Sequence, residues 1–296
     1  MGGRGEERDE RLDALPSVGR LIAKAAVTSL GRPGASGGLP VRSVSVAHVR
    51  QPVGRLAAYD RLCGFTLRDR VPPTWLHVLT FPLQAHLMAA RDFPFPLAGL
   101  VHVTNDMTLR RPVELREELL LRVRTRNLAA HKRGVTFDML GEASVGGEVV
   151  WTGVSNYLAT GASGEGLPEA SGGSGVRIDE PDADDRALWR LPPDLGRRYA
   201  GVSGDANPIH LSPLTSRLFG FPRPIIHGMW THARALAQLD ARLPDAYRVQ
   251  VRFTRPIMLP AAVTFAAETA DAPWFVVRSR EGRAHLIGRV SEPDAA

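Results

Sequence analysis

Apolar and polar residues alternate along several stretches of the chain, and this two-residue period is typical of half-buried β-strands. The predicted strands cover residues 41–49, 100–109, 119–126, 134–141 and 148–159. In the third of these, Arg122, Arg124 and Arg126 share one face. Such a basic face is usually a solvated sheet surface, and contact with a ligand phosphate stays open as an alternative.

A period of three to four residues predicts helices. One apolar stripe consists of Leu12, Leu15, Val18, Leu21, Ile22, Ala25 and Ala26. This amphipathic segment would pack against the body of the protein or a second subunit, or lie on a membrane surface. Residues 78–90 are apolar but interrupted by Pro82, and residues 228–239 are apolar over much of the helix circumference, as in a buried helix.

A change of composition divides the chain. Six Gly and three Ser fall within residues 161–175, which is typical of a linker between two units. We therefore expect an N-terminal arm over residues 1–40, a first unit over 41–160, a linker over 161–176 and a second unit over 177–296.

The second unit repeats the first in outline. Pro224-Ile-Ile-His227 echoes Pro73-Thr-Trp-Leu-His77, and each is followed by an apolar helical stretch and a strand that ends in Arg-Pro. The interval from the histidine to that proline is 35 residues in the first unit and 29 in the second. Upstream of the histidine the intervals differ: Tyr59 lies 18 residues before His77, whereas Tyr199 lies 28 residues before His227. The second unit is therefore ten residues longer in this part. It therefore contains a loop that the first unit lacks.

Composition also restricts the cellular setting. The 296 residues are 44% hydrophobic and 23% charged, as in ordinary globular proteins. Cys63 is the only cysteine, so no intramolecular disulfide can form. No apolar run reaches the roughly 18 residues that a membrane span needs, and the polar first ten residues are unlike a secretory signal. We expect a cytoplasmic protein without a membrane span.

The net charge of +6 comes almost entirely from arginine, since Lys24 and Lys132 are the only lysines. A nucleic-acid-binding surface would need clustered cations and stacking aromatic residues. Here the arginines are scattered and only 6% of the residues are aromatic, so no nucleic-acid partner is expected. A coding bias toward arginine or a small anionic partner accounts for the excess.

The loop that distinguishes the second unit contains the stretch Tyr199-Ala-Gly-Val-Ser-Gly-Asp-Ala-Asn-Pro-Ile-His210. Gly204 permits backbone angles that other residues avoid, and Asn207, followed by proline, predicts the start of a short helical turn. Asp205 then precedes the turn and His210 lies within it. A carboxylate and an imidazole arranged in this way can act as an acid and a base at one shared point.

This stretch resembles the signature of the MaoC-like family of (R)-specific enoyl-thioester hydratases and 3-hydroxyacyl-thioester dehydratases. The family pattern is an aromatic residue, a spacer, a small residue, Gly-Asp-x-Asn-Pro-aliphatic-His, and a small residue six positions later. The residues that fit are Tyr199, Ser203, Gly204, Asp205, Asn207, Pro208, Ile209, His210 and Ser216. Agreement at this many ordered positions is far more specific than an isolated pair of Asp and His.

The resemblance implies an α+β fold, the hotdog, in which an antiparallel sheet wraps around one long apolar helix. Two such units in tandem would form a double hotdog with a catalytic motif in the second unit only. Single-unit relatives dimerise, and a tandem copy would supply that pairing within one chain. Association into a homodimer stays open.

The resemblance also implies a reaction, which is the reversible hydration of a trans-2-enoyl thioester or the reverse dehydration of an (R)-3-hydroxyacyl thioester in fatty-acyl metabolism. The Gly228 N–H would stabilise the oxyanion of the thioester carbonyl. His210 would take a proton from water and Asp205 would move the proton at the α carbon, although the division of these roles stays open. Coenzyme A or carrier-protein pantetheine would be part of the substrate, and no metal or separate cofactor is expected.

Seven further residues of the second unit are candidates for substrate binding. They are Ser203, Asn207, His227, Met229, Phe219, Arg252 and Arg255. The first two would orient the loop, the next two flank Gly228, and Phe219 would line an acyl pocket or pack in the core. The two arginines, together with Arg223, are candidates for contact with phosphates of the thioester carrier.

Other interpretations fit the residues less well. The segment 201–204 lacks the closing glycine of a serine-nucleophile elbow, because Asp205 follows it. His227 and His232 are five residues apart and do not share a helix face, so a zinc-protease site is not predicted. Three histidines of the first unit are interpreted as structural, namely His77, His86 and His102. A non-catalytic acyl-binding subunit and a hotdog thioesterase stay as alternative functions.

Overall fold

The computed structural model describes residues 8–27, 32, 34–97, 99–170, 183, 185–269 and 273–294. Its strands are β1 Arg8–Leu12, β2 Arg42–Val49, β3 Leu100–Leu109, β4 Leu119–His131, β5 Gly134–Val145, β6 Glu148–Thr160, β7 Asp185–Leu191, β8 Tyr247–Phe253, β9 Ala261–Ala267, β10 Trp274–Ser279 and β11 Ala284–Ser291. Its helices are α1 Val18–Val27, α2 Val53–Cys63, α3 Pro73–Ala89, α4 Leu195–Ser203, α5 Pro213–Leu218 and α6 Gly228–Leu239. Among these described segments, no helix is both long and apolar enough to cross a membrane.

These strands form one sheet in the order β1-β2-β4-β5-β6-β3-β8-β11-β10-β9-β7. Only the pairing of β1 with β2 is parallel within the described sheet. Strands β2 to β6 pack against α3, and β10 and β11 pack against α6. The predicted α+β double hotdog is confirmed, with its two sheets joined edge to edge through β3 and β8.

Helix α3 accounts for the apolar middle of the first unit. Fifteen of its 17 residues are buried, so the helix has no solvated face. It begins at Pro73, where the missing N–H of proline costs no helical hydrogen bond. The sequence predicted an interruption at Pro82, but the helix continues through this residue. Burial against the sheet outweighs the one hydrogen bond that Pro82 removes.

The two units meet where β3 pairs with β8. Asp106 lies five residues before Arg111 of the first Arg-Pro pair, and Gln250 lies five residues before Arg255 of the second. Asp106 and Gln250 are partners in the β3–β8 register, so equivalent positions of the two units face each other. This register is the one expected of two units related by a local two-fold axis, and it supports the internal repeat. We propose residues 41–160 and 177–296 as the limits of the units.

A shielded ion pair reinforces this junction. Arg248 on β8 donates to both carboxylate oxygens of Asp106 on β3, at 2.9 Å from Nε and 2.6 Å from Nη2. Gln250 donates to the same carboxylate at 3.0 Å. Arg248 also contacts Asp294, whose side chain is 73% exposed, whereas that of Asp106 is only 18% exposed. The pair with Asp106 is therefore the one that water screens less.

The N-terminal arm packs against the first unit. Val18 and Leu21 of α1 are buried in a cluster with Ala85 and Ala89 of α3. Of the alternatives for the amphipathic stripe, packing against the protein's own body is therefore the one found. The side chains of Ala25 and Ala26, which the stripe includes, lie outside the described residues.

The arm also contains β1, which the sequence analysis missed by assigning one helical pattern to this region. The strand is short and charged, so it shows no apolar alternation. Its side chains are held by polar contacts with β2 instead. The hydroxyls of Ser43 and Ser45 each donate to the carboxylate of Asp9 at 2.8 Å.

The basic face of β4 is balanced by carboxylates. Arg122 pairs with Asp9 of β1 at 3.8 Å, whereas Arg124 and Arg126 pair with Glu142 and Asp138 of β5 at 3.7 and 3.9 Å. These pairings favour an ordinary solvated sheet surface over a phosphate-binding face.

The first part of the predicted linker packs against the first unit. The N–H of Ala130 on β4 donates to the carbonyl of Pro168, and the N–H of Ala170 donates to the carbonyl of Ala130. Residues 171–176 of the predicted linker lie outside the described residues.

The junction predicts that removing either carboxylate partner of Arg248 lowers stability by a different amount. Asp106→Ala leaves the guanidinium without its shielded partner and should lower the free energy of unfolding by about 2 kcal/mol. The control Asp294→Ala removes the exposed partner of the same arginine and should cost less than about 1 kcal/mol. Urea unfolding of both variants measures the difference, and equal losses would contradict the assignment of the inter-unit contact to Asp106.

Candidate active site

The loop between α4 and α5 takes its shape from the conformation of Gly204 and from the cap that Asn207 forms. Helix α4 ends because Gly204 adopts a left-handed backbone with φ of 80°, and its N–H bonds to the carbonyl of Ala200. Asn207 caps the 3-10 turn Pro208–His210 by accepting the N–H of Ile209 at 3.3 Å. This is the turn that the glycine, asparagine and proline predict.

Three titratable side chains converge beside this loop. Asp205, His210 and His227 each offer an atom within 4.8 Å of the others. The imidazole rings of His210 and His227 stack with centroids 3.5 Å apart. His227 Nε2 lies 3.8 Å from a carboxylate oxygen of Asp205. The structure thus brings the two predicted catalytic side chains together and adds His227 to them.

Backbone carbonyls fix the tautomers of both histidines. Nδ1 of His210 donates to the carbonyl of Ile225 at 2.8 Å, so its free lone pair is on Nε2. Nε2 of His227 donates to the carbonyl of Asp205 at 2.9 Å, so its lone pair is on Nδ1. His227, the residue before α6, therefore holds the loop between α4 and α5 against the start of that helix.

Burial shifts the pKa of all three groups toward the neutral form. It lowers the pKa of His210 to about 3, with a further lowering from the neighbouring His227. It lowers the pKa of His227 to about 4. Burial raises the pKa of Asp205, although His210 and the N–H of Asn207 oppose this effect. At neutral pH, His210 is an uncharged imidazole that can accept a proton.

Gly228 is the first residue of α6, as predicted. The N–H groups of a first helical turn have no partner within the helix, and the helix dipole favours negative charge there. The ring of Phe253 on β8 packs against this glycine, and a Cβ at position 228 would lie 2.9 Å from it. A larger residue would displace the aromatic ring, so the close approach at this position requires glycine.

Ser203 and Asn207 orient the loop, as the sequence suggested. The hydroxyl of Ser203 donates to the carbonyl of Tyr199 at 2.8 Å and accepts the N–H of Asp205 at 3.2 Å. The N–H of Asn207 donates to the carboxylate of Asp205 at 3.2 Å. Tyr199 is buried beneath the loop, with its ring centroid 4.9 Å from that of His227. These residues hold Asp205 from both sides.

The remaining candidates for substrate binding lie in different surroundings. Met229 is buried in the main core, and Phe219 is 38% exposed at the end of α5. Arg252 is partly buried on β8, where it pairs in register with Ile287 and Thr104. Arg255 is exposed and donates to the carbonyl of Ala284 at 3.3 Å, and Arg223 is exposed beyond α5. Their roles in substrate binding stay predictions.

Arg55 of α2 is a residue of this site that the sequence analysis missed. Its Nε donates to the carbonyl of Val202 in α4 at 2.7 Å, and its guanidinium lies 5.3 Å from the ring centroid of Trp75. A cation at a helix C-terminus is favoured by the helix dipole. Nη2 of Arg55 also lies 3.4 Å from the position that a Cβ on Gly204 would take. The first unit thus supports the loop that carries Asp205.

No local motif surrounds Arg55 in the sequence, which is why it escaped notice. Its hydrogen-bond partner, Val202, lies 147 positions further along the chain. The spacing of Asp205, His210 and His227 would also admit a divalent cation. The chemistry proposed below uses only protons and an N–H donor from these residues.

The buried histidines predict a loss of stability in acid. A histidine whose pKa is lowered in the folded state binds its proton more readily in the unfolded state. Its contribution to folding stability is therefore complete above pH 6.5 and is lost as the pH falls toward 4. His227→Gln removes one such group, so the free energy of unfolding should depend less on pH in this window, by up to about 1.4 kcal/mol per unit. Urea unfolding at several pH values gives the slopes, and an unchanged slope would contradict the buried neutral state of His227.

Comparison with known proteins relates both units to enzymes of one class. A family model described as a MaoC like domain matches residues 179–286. The 3-hydroxyacyl-thioester dehydratase X of Mycobacterium tuberculosis is 36% identical over 280 residues, which cover 93% of this chain and 98% of that protein. The crystal structure of HtdX from the same organism has a TM-score of 0.75 at 35% identity, and covers 85% of this chain and 100% of that chain.

A more distant structure shares the fold. The full-length peroxisomal multifunctional enzyme type 2 of Drosophila melanogaster has a TM-score of 0.65 at 18% identity, and the match covers 85% of this chain and 48% of that chain. The Mycobacterium tuberculosis relative spans both units, and the family model covers the segment that holds Asp205, His210 and His227. The chain therefore belongs to the MaoC-like dehydratase family.

Proposed function

We propose that this protein is a hydro-lyase that adds water reversibly to trans-2-enoyl thioesters and forms (R)-3-hydroxyacyl thioesters in fatty-acid metabolism. The observation that carries the proposal is the convergence of Asp205 and His210 beside the start of α6. Similarity to a 3-hydroxyacyl-thioester dehydratase over nearly the whole chain supports the same reaction class.

Gly228 is the proposed donor to the thioester carbonyl. When water attacks C3 of an enoyl thioester, negative charge moves through the conjugated system to the carbonyl oxygen. Preorganised N–H donors at that oxygen lower the barrier because they stabilise charge that develops in the transition state. The first N–H of α6 has no helical partner and lies at the positive end of the helix dipole.

His210 is the proposed base for water. Its Nδ1–H is engaged by the carbonyl of Ile225, which leaves the lone pair of Nε2 to accept a proton. Burial keeps the imidazole neutral at pH 7, since its pKa is lowered to about 3. Nε2 takes a proton as the water oxygen bonds to C3, and Asp205 stabilises the imidazolium that forms once its own proton has gone to C2.

Asp205 is the proposed acid for the α carbon. Burial raises its pKa, which increases the fraction of protonated carboxyl. The carboxyl proton goes to C2 of the enolate as the negative charge returns from the oxygen, and the proton on His210 then restores Asp205. The two side chains lie within 4.8 Å of each other. Both therefore act from one side of the substrate, and H and OH add to the same face.

The thioester carrier in this proposal is coenzyme A or the pantetheine of a carrier protein. Exposed Arg223 and Arg255, with the partly buried Arg252, are the proposed contacts for its phosphates. We propose a cytoplasmic setting, and association of two chains stays open within the proposal. Cys63 has no proposed chemical role because it is buried, which raises the pKa of its thiol.

The proposed roles predict the effects of two substitutions on hydration of crotonyl-CoA and longer enoyl-CoAs without added metal. Asp205→Asn and His210→Ala should each lower kcat by about 10²- to 10⁴-fold, because each removes one proton-transfer group. The double variant should be little worse than the poorer single variant, since both groups serve one reaction. Absorbance of the conjugated enoyl thioester measures the rate.

Asp194→Asn is the matched control, because it changes a carboxylate at the start of α4 outside the cluster of Asp205, His210 and His227. It should retain native turnover, and circular dichroism should show that all variants are folded. Native rates in both single variants would overturn the mechanism. Release of free thiol from saturated acyl-CoA in place of hydration would favour a thioesterase.

Arg55 predicts an effect on turnover that is separate from substrate binding. Arg55→Met should let the end of α4 shift, and should lower kcat by about 10- to 100-fold with little change in KM, because Asp205 would be displaced. Arg55→Lys should recover part of the loss. Arg61→Met, on the exposed side of the same helix, should behave like the native protein. A rise in KM at constant kcat would contradict a positioning role.

A further inference from the structure

His232 is a fully buried polar residue close to the proposed oxyanion donor. It lies four residues after Gly228 in α6, so the two share one face of the helix and are separated by about 6 Å along the helix axis. Its side chain is 0% exposed. Neither ring nitrogen of His232 has a hydrogen-bond partner among the described residues.

His102 approaches the same region from β3 of the first unit. Its ring centroid lies 4.9 Å from that of Phe253, the residue that packs against Gly228. On another side it stacks with Tyr157, with centroids 4.7 Å apart. Nε2 of His102 likewise has no partner in the described part of the chain. Two imidazoles from different units thus present unpaired polar atoms near the start of α6.

Unpaired buried polar atoms are costly. Each one loses about 1–3 kcal/mol relative to a hydrogen-bonded group, and native proteins contain few of them. Leucine or phenylalanine at these two positions would fill the space without that cost. The choice of histidine is therefore explained if a bound molecule supplies the missing partner.

The direction of the substrate indicates which part of it reaches these histidines. The carrier end of an acyl thioester is large and polar and must extend to solvent, so the acyl chain extends into the protein from the carbonyl at Gly228. His232 is completely buried one helical turn beyond Gly228, away from the end of the substrate that must reach solvent. An acyl chain of more than a few carbons would pass close to it.

We propose that His102 and His232 form a polar subsite for an uncharged oxygen atom, as a hydroxyl or an ether, on the acyl chain of the substrate. This inference rests on the proposed function. Burial lowers the pKa of both residues, to about 3 for His232, and nearby His77 lowers both further, while His232 also lowers the pKa of His102. Both imidazoles are therefore neutral, and they match an uncharged group better than a carboxylate. The interpretation of His102 as purely structural is the alternative.

The test compares binding of saturated acyl-CoAs by titration calorimetry. All ligands have acyl chains of equal length. One ligand has an all-carbon chain, and each of the others has a single ether oxygen in place of one methylene, at successive positions beyond C4. Native protein should bind at least one ether analogue about tenfold more tightly than the all-carbon chain, which corresponds to one net hydrogen bond. Ether analogues with the oxygen at the other positions should bind more weakly than the all-carbon chain.

His232→Leu should remove the preference and leave binding of the all-carbon chain as tight or tighter, and His102→Phe provides an independent second variant. His86→Leu, at a histidine that bonds to Glu10 outside this region, should keep the preference. Weaker binding of every ether analogue to native protein would overturn the subsite, whether or not the variants fold. Hydration of the matching all-carbon enoyl-CoA is measured in parallel. Absence of hydration would contradict the proposed function, whereas the binding comparison tests the subsite alone.

Discussion

The hydrogen bond from His227 to the main-chain carbonyl of Asp205 is the contact on which the site depends. It joins the loop after α4 to the first turn of α6, and it does so from the residue that precedes the proposed oxyanion donor. The stacked ring of His210 shares the same buried volume. Because the three groups lie together in a largely shielded site, burial shifts the pKa of each toward its neutral form, which favours a neutral imidazole beside a carboxyl with a raised pKa.

The two units contribute unequally to this arrangement. The second unit supplies the loop and α6, whereas the first supplies Arg55 against the end of α4 and His102 beside Phe253. The β3–β8 junction, with the pair between Asp106 and Arg248, fixes the units relative to each other. The first unit lacks the motif, but it still provides the surface against which the loop that carries Asp205 is positioned.

Local sequence was enough to predict the parts of the site that local chemistry determines. Gly204 and Asn207 set the turn, and the apolar run after His227 forms α6 at its predicted residues. Strand β1 was not predictable from periodicity because its partners are polar groups distant in the chain. The same limit applies to contacts between the units, since spacing along the sequence carries no signal for the approach of Arg55 to Val202.

The central claim is that the buried acid and base add water across an enoyl thioester from one side. Hydration of crotonyl-CoA in D₂O, followed by NMR and chiral analysis of the product, tests it most directly. The account predicts (R)-3-hydroxybutyryl-CoA with a single deuterium at C2, placed on the same face as the new hydroxyl. A product of (S) configuration, deuterium on the opposite face, or no hydration of any enoyl thioester would contradict it.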